Sequence, residues 1–251
     1  AVNEQLDRLA ELTQEWGYIV DVGEQVLENA ELNQDVRLAV LLRSGQVLDR
    51  RMNDAGRAIV AYNKALAMAS GRYVWLLNAG DLAKPGALET ALQSIRAGLD
   101  EPSLPVHCYS VHQLDRNRVW EADPQSLRKG ISMSTQGVLA PRSALMALGG
   151  FDTSFRIAAD YDLWLRLALQ GRHPFRTHRQ VLVAYKGYGL SIRHRHLGVT
   201  EEIAIQLRHM PDQANDWLLR AVRYGVFNVD PGRVPWRRWS LALRMARRLL
   251  Y

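Results

Sequence analysis

Cysteine is almost missing from this chain. Cys108 stands alone among 251 residues, so neither an internal disulfide nor a multi-cysteine zinc site can form. That excludes disulfide-stapled secreted scaffolds and thiolate metal modules, and it points to a reducing compartment. Long apolar runs are missing too. The longest are stretches such as residues 38–42, far short of the roughly 18–20 residues a spanning helix requires, and no signal peptide opens the chain. Acid is missing in one place only: from Gly232 onward there are six arginines (Arg233, Arg237, Arg238, Arg244, Arg247, Arg248) and no Asp or Glu. Those six equal the whole formal charge of +6, leaving a body with 26 basic and 26 acidic residues. The high pI is therefore the property of one terminal segment, whereas a nucleic-acid groove spreads its basic residues over a surface.

What is present suits a folded chain of one large domain or two small ones. At 47% hydrophobic and 23% charged residues it can bury a sizeable core, and it shows no repeats. Leu6, Leu9 and Leu12 at helical spacing predict a helix over residues 5–15, running into an apolar strand at 18–22 and a second strand at 36–42. Residues 58–68 read as a helix stopped near Ser70-Gly71. Residues 73–77 then form a short unbroken apolar run of the kind expected in a buried parallel strand. Pro85 marks the first turn of a helix over 86–99. Later strands are predicted at 106–114, 119–122 and 131–139, with a short helix at 142–148 ended by Gly149-Gly150. The order predicts a mixed, mainly parallel α/β sheet flanked by helices.

Two constellations carry candidate chemistry. Asn78-Ala79-Gly80-Asp81 follows a strand, at the place where open α/β sheets bind ligands. Its carboxamide and carboxylate suit a ribose or a divalent ion on a diphosphate, although Asn, Gly and Asp also make ordinary turns. The second is the run from Phe151 to Leu167. Asp160 sits where a loop becomes a helix, placed equally well to stabilise the helix start or to act as a general base.

Gly71-Arg72-Tyr73-Val74-Trp75-Leu76-Leu77-Asn78-Ala79-Gly80-Asp81-Leu82, Gly149-Gly150-Phe151-Asp152 and Ala159-Asp160-Tyr161-Asp162-Leu163-Trp164-Leu165-Arg166-Leu167, taken in order and spacing, resemble family 2 glycosyltransferases of the GT-A fold. Asp54-Ala55-Gly56 and Asn63-Lys64-Ala65 are similar to the loop and helix that precede the family's metal-motif strand. The resemblance spans residues 18–203. It implies a GT-A-like domain over residues 1–208 and inverting transfer of a sugar from a nucleotide-diphosphate donor to an acceptor hydroxyl. Asp160 matches the family's catalytic base, and Asp21 falls where the family places an acid contacting the nucleotide. Asp54, Asn78, Asp81, Arg193 and Arg195 would complete the donor side. A divalent cation, Mg or Mn, would be held by Asp81, His194 and His196. The family's Asp-x-Asp reads here as Asn78-Ala79-Gly80 with only the following Asp81 acidic, and the family's first nucleotide-binding strand is not visible.

Residues 188–196 resemble the family's segment that closes over the diphosphate; Arg offers a planar donor fork there and a neutral His can complete a metal shell. A helix resumes at 201–208, and residues 209–251 are expected to form a helical C-terminal extension. Its last stretch, 234–251, sets Trp236, Trp239, Leu241, Leu243, Met245, Leu249 and Leu250 among the arginines, the composition of an interfacial anchor. The expected protein is a cytoplasmic glycosyltransferase at the inner face of the membrane, extending a saccharide, glycolipid or related cell-surface acceptor. The alternative is a non-catalytic GT-A-like binding or scaffold module. A nucleic-acid binder has no aromatic-studded basic groove to support it.

Overall fold

The computed structural model describes residues 2–52, 54–77, 81–185 and 194–213. The chain divides into two compact units, residues 1–195 and 196–251.

The first unit opens with four helices, α1 (Val2–Thr13), α2 (Trp16–Glu28), α3 (Gln34–Arg50) and α4 (Ala55–Met68). The strands predicted at 18–22 and 36–42 are therefore replaced by α2 and α3. Their apolar residues recur at a helical period once a longer window is read. Trp16, Val20 and Gly23 are buried on α2, and Leu41, Ser44, Val47 and Leu48 on α3, which is one face of a 3.6-residue repeat. Asn33 starts α3 by accepting the Val36 N–H at 2.9 Å, the capping contact that commits the following residues to helix. Trp16 and Val20 close with Ala10 of α1, Val47 and Leu48 of α3 and Ala58 of α4 into one apolar cluster.

The remainder of the unit is built on a six-stranded sheet. Its strands are β1 (Tyr73–Trp75), β2 (Leu82–Ala83), β3 (Val106–Gln113), β4 (Arg118–Trp120), β5 (Val138–Pro141) and β6 (Phe175–Tyr185). The order is β1-β5-β3-β6-β2, with β4 also on β3. Four of the five pairings are antiparallel and only β3–β6 is parallel, so the expectation of a mainly parallel sheet is corrected. The physical reason is connectivity. A parallel pair needs a long crossover, and the chain segments expected to supply such pairs early are spent on α2 and α3. Between β3 and β6 the long connection contains α6 (Arg142–Ala147) and α7 (Ala159–Gln170), and there the parallel pair forms. β1, predicted as a buried parallel strand, is a half-buried edge strand paired antiparallel with β5. β6 is the longest strand described and was not anticipated. Its first half is polar and exposed, and only Leu182, Val183 and Ala184 are fully buried.

Helix α5 (Ala87–Ala97) lays Ala87 and Ala91 against Tyr109, Val111, Leu139, Leu182 and Val183 of the sheet. Of the second unit, the described residues form most of helix α8 (Arg195–His209) and a 3₁₀ turn at Pro211–Gln213. Among the described residues no helix is long and apolar enough to cross a membrane.

Candidate functional site

The second and third sequence blocks meet at α7, and Trp75 of the first is tied to the turn that faces the helix start. This helix is buried nearly all round, with Tyr161, Asp162, Leu163, Trp164, Leu165 and Leu167 in the interior, so its first turn is held as firmly as the core itself. Its fourth and eighth residues, one turn apart, anchor the neighbouring turn. Asp162, only 1% exposed, accepts from Arg166 Nε at 2.7 Å. The same guanidinium donates to the carbonyls of Leu148 and Gly150, both at 2.8 Å. A planar five-donor fork can serve a carboxylate and two carbonyls at once.

From the other side, Asn63 of α4 grips the same turn through its carboxamide. Its Nδ2 donates to the Phe151 carbonyl and its Oδ1 accepts the Phe151 N–H, each at 2.8 Å. Gly150 has φ +74°, and a side chain there would overlap Asn63 Oδ1, so the turn requires glycine both for its conformation and for the approach of Asn63. Asp152 then accepts the Ser154 N–H at 2.8 Å. The Gly149 to Asp152 block is thus a clamp that fixes where α7 begins.

Asp160 lies in the first turn of α7, half-buried, where the helix dipole favours a negative charge. Its Oδ2 accepts the Thr135 hydroxyl at 2.7 Å and its Oδ1 faces the Tyr161 N–H at 2.7 Å. The residue flanking the start of α7, Ala158, makes no side-chain cap. Thr135 opens a 3₁₀ turn, Thr135–Gly137, just before β5, and its Oγ1 also accepts from Trp164 Nε1 at 3.0 Å. The next carbonyl, that of Gln136, receives the Trp75 indole N–H at 2.8 Å, which ties the turn to β1. At Gly137 the backbone passes so close to the Tyr109 carbonyl that a Cβ would collide with it. The result is a carboxylate on a rigid helix start, partly open to solvent and oriented by a turn that is itself pinned on three sides. Such a group can accept a proton from a hydroxyl brought within hydrogen-bond reach.

The other residues singled out in the sequence are more scattered. Asp21 is exposed on α2, not at the end of a strand. Asp54 caps α4, accepting the Arg57 N–H at 3.1 Å. Asp81 is half-buried immediately before β2. Because Leu82 pairs with Ala184, it comes near Tyr185, whose phenol is pushed up by burial first and by the Asp115 and Asp81 carboxylates. His194 is exposed in a turn, and Arg195, also exposed, begins α8. Asn78, Arg193 and the side chain of His196 lie outside the described residues, as does the tail 234–251. Among the described residues no three His, Cys, Asp or Glu side chains gather as a divalent ion would need; the expected shell of Asp81, His194 and His196 includes one side chain outside them.

The structure adds residues that had no assigned role. Thr135 and Trp164 join Asp160, although nothing in the local pattern of residues 131–139 distinguishes Thr135. Trp164, read only as a core residue, turns out to spend its one polar atom on Thr135. An imidazole pair with one member buried also emerges where the sequence shows only two isolated histidines. His107 on β3, 1% exposed, sets its Nδ1 3.0 Å from His178 Nε2 on β6, and the two rings stack with Tyr109 beyond. Burial first, then His178 and Arg176, hold the His107 imidazole down to about 4. Cys108, next in sequence, is buried with its thiol 3.7 Å from Met133 Sδ, and burial pushes that thiol up to about 12.

No family model and no curated protein matches the chain. Among solved structures it is similar to S. aureus TarS, at 13% identity and a TM-score of 0.45 over 69% of this chain and 32% of that one. It is similar also to TarS residues 1–349, at 14% identity and a TM-score of 0.43, covering 71% and 55% of the two chains. The same TarS portion in complex with UDP gives 16% identity and a TM-score of 0.44, covering 75% and 59%. The chain thus spans between one third and three fifths of the length of these proteins.

Proposed function

We propose that the chain is an inverting glycosyltransferase of the GT-A type that moves a sugar from a nucleotide-diphosphate donor to a hydroxyl of a saccharide, glycolipid or related cell-surface acceptor. The observation that carries this reading is the seat of Asp160. Its block, Ala159-Asp160-Tyr161-Asp162, is the one that resembles the family's base, and its carboxylate is held by Thr135 at the start of a buried helix while staying partly open. In the proposed step the acceptor oxygen attacks the anomeric carbon, the bond from that carbon to the diphosphate breaks with its electron pair, and Asp160 takes the hydroxyl proton. Asn78, Asp81, Arg193 and Arg195 are proposed on the donor side. Asp54 already serves α4 as its cap, and Asp21 is exposed on α2. Residues 1–208 would form the catalytic domain and 209–251 an extension whose segment 234–251 seats the enzyme on the inner face of the membrane.

The test combines calorimetry against a panel of sugar nucleotides with detection of glycosylated product. Asp160→Asn is expected to lower transfer by about 10²-fold or more, to leave donor affinity within a few-fold, and to leave the melting temperature unchanged. Full transfer in that variant removes Asp160 from the reaction.

A second reading, a non-catalytic module of the same type, is favoured by a specific observation. Residues 18–22 are helical, where a strand ending at Asp21 was expected beside the nucleotide. Absence of binding to every sugar nucleotide in the panel would select this reading.

A further inference from the structure

We infer that Thr135 is the positioning residue of Asp160, with its hydroxyl proton committed to the carboxylate by Trp164. This rests on the proposed role of Asp160, but the geometry is independent of it. A hydroxyl owns one proton and two lone pairs, whereas an indole N–H can only donate. Trp164 Nε1 lies 3.0 Å from Thr135 Oγ1, so the oxygen must accept there. Its proton is then available for Asp160 Oδ2 at 2.7 Å, a separation typical of a charge-assisted bond to an ionised carboxylate.

Asp160 and Trp164 are four residues apart on α7, hence on one side of the helix, and a single oxygen from outside the helix bridges them. That oxygen cannot drift, because its turn is fixed through Trp75 on Gln136 and through the close pass of Gly137 beneath the Tyr109 carbonyl. Two consequences follow. The carboxyl plane of Asp160 is set by a partner outside its own helix. The ionised form, which a proton acceptor requires, is favoured over the protonated one, since Thr135 donates to it.

The test uses the full chain with labelled carboxyl carbons, the Asp160 signal being identified by its loss in Asp160→Asn. Thr135→Val is expected to raise the titration midpoint of Asp160 by on the order of one pH unit. Thr135→Ser, which keeps the hydroxyl, should restore the wild-type midpoint. Trp164→Phe keeps a ring in the core but frees the hydroxyl to rotate, and should raise the midpoint by less than Thr135→Val does. It also keeps the proposal testable should the valine variant fail to fold. With any sugar nucleotide that the wild type turns over, Thr135→Val should lower kcat about tenfold with KM within twofold, and Thr135→Ser should recover it. A midpoint unmoved in both Thr135→Val and Trp164→Phe, or a serine variant that behaves like valine, overturns the proposal. Failure of the transferase reading looks different: the midpoint shifts appear as stated, while the wild type transfers no sugar from any donor of the panel.

Discussion

Arg166 shows how much one side chain can hold. Three of its donors are spent on a buried carboxylate and two carbonyls of the turn that precedes α7. Removing one partner of a buried ion pair costs about 3–5 kcal/mol, far more than the pair contributes relative to an apolar replacement of both. Arg166→Met is therefore expected to destabilise the chain by that amount in urea unfolding. Arg166→Lys should recover only part, because one ammonium cannot reach all three acceptors. A loss below about 1 kcal/mol in the methionine variant would mean the turn is held by Asn63 alone.

The imidazole pair makes a second residue-scale prediction, with a definite sign. His107 is held down to about 4 by burial first and then by His178 and Arg176, with Glu101 opposing; Tyr73 is its other ring neighbour, and Tyr109 stacks on His178. His107 Nε2 is buried with no hydrogen-bond partner among the described residues, so protonation would strand a charge. Between the unfolded value near 6.5 and the folded value near 4, the unfolded chain takes the proton and the folded chain does not. This contribution is fully present above pH 6.5 and is lost as pH falls toward 4. His178 is lowered in the same direction, by burial and then Arg176. His107→Phe should flatten the fall of the melting temperature between pH 6.5 and 4.5. An unchanged acid limb would show that the pair does not titrate in this window.

At the scale of elements, the join between α6 and α7 is the fulcrum of the site. Gly149 and Gly150 both have positive φ, +78° and +74°, yet only Gly150 faces Asn63. Alanine at Gly149 meets open space and should cost only the left-handed backbone, about 1–2 kcal/mol. Alanine at Gly150 must also displace Asn63 from Phe151, adding about 1–3 kcal/mol for hydrogen bonds lost in a half-buried place. The measurement is the difference between the two variants in thermal unfolding; equal losses would mean that Asn63 yields without cost. The same contacts explain how much of the site was legible. Asp160 at a helix start and the Gly-Gly stop were visible in sequence because each belongs to a local pattern, whereas Asn63 stood out only through the family resemblance. Thr135 was not, since its partner Asp160 is 25 residues away and no periodicity connects a 3₁₀ turn to a helix across that distance.

Over the whole molecule, charge is distributed as the sequence segregates it. The body balances and the six terminal arginines carry the excess, so affinity for an anionic surface must come from the stretch after Gly232, with five of the six arginines in residues 234–251. Each arginine near such a leaflet contributes about 1 kcal/mol, and half of them give about 3 kcal/mol beside the apolar term of Trp236 and Trp239. In liposome sedimentation the intact chain should bind vesicles containing phosphatidylserine, less so as salt shortens the Debye length from about 8 Å. A chain ending at Gly232 should not bind. Equal binding by both chains, or binding indifferent to anionic lipid, overturns the surface reading.

The sequence by itself determined whatever depends on neighbours within a dozen residues: helices α4 to α7, the core strand β3, the two-glycine stop and the charge of the tail. It misjudged residues 18–22 and 36–42, whose four and six apolar residues satisfy strand and helix alike, and most of the strand expected at 131–139, where a 3₁₀ turn precedes β5. Burial of Trp16 and Val20 against Val47, Leu48 and Ala58 decided for helix. The direction of the strands was likewise settled only by packing, because pairing direction depends on what each connection must cross. So was the seat of Asp160. A carboxylate's neighbours Tyr161 and Asp162 are written beside it, but the hydroxyl that orients it and the indole that orients the hydroxyl meet only when β5 and α7 are folded together.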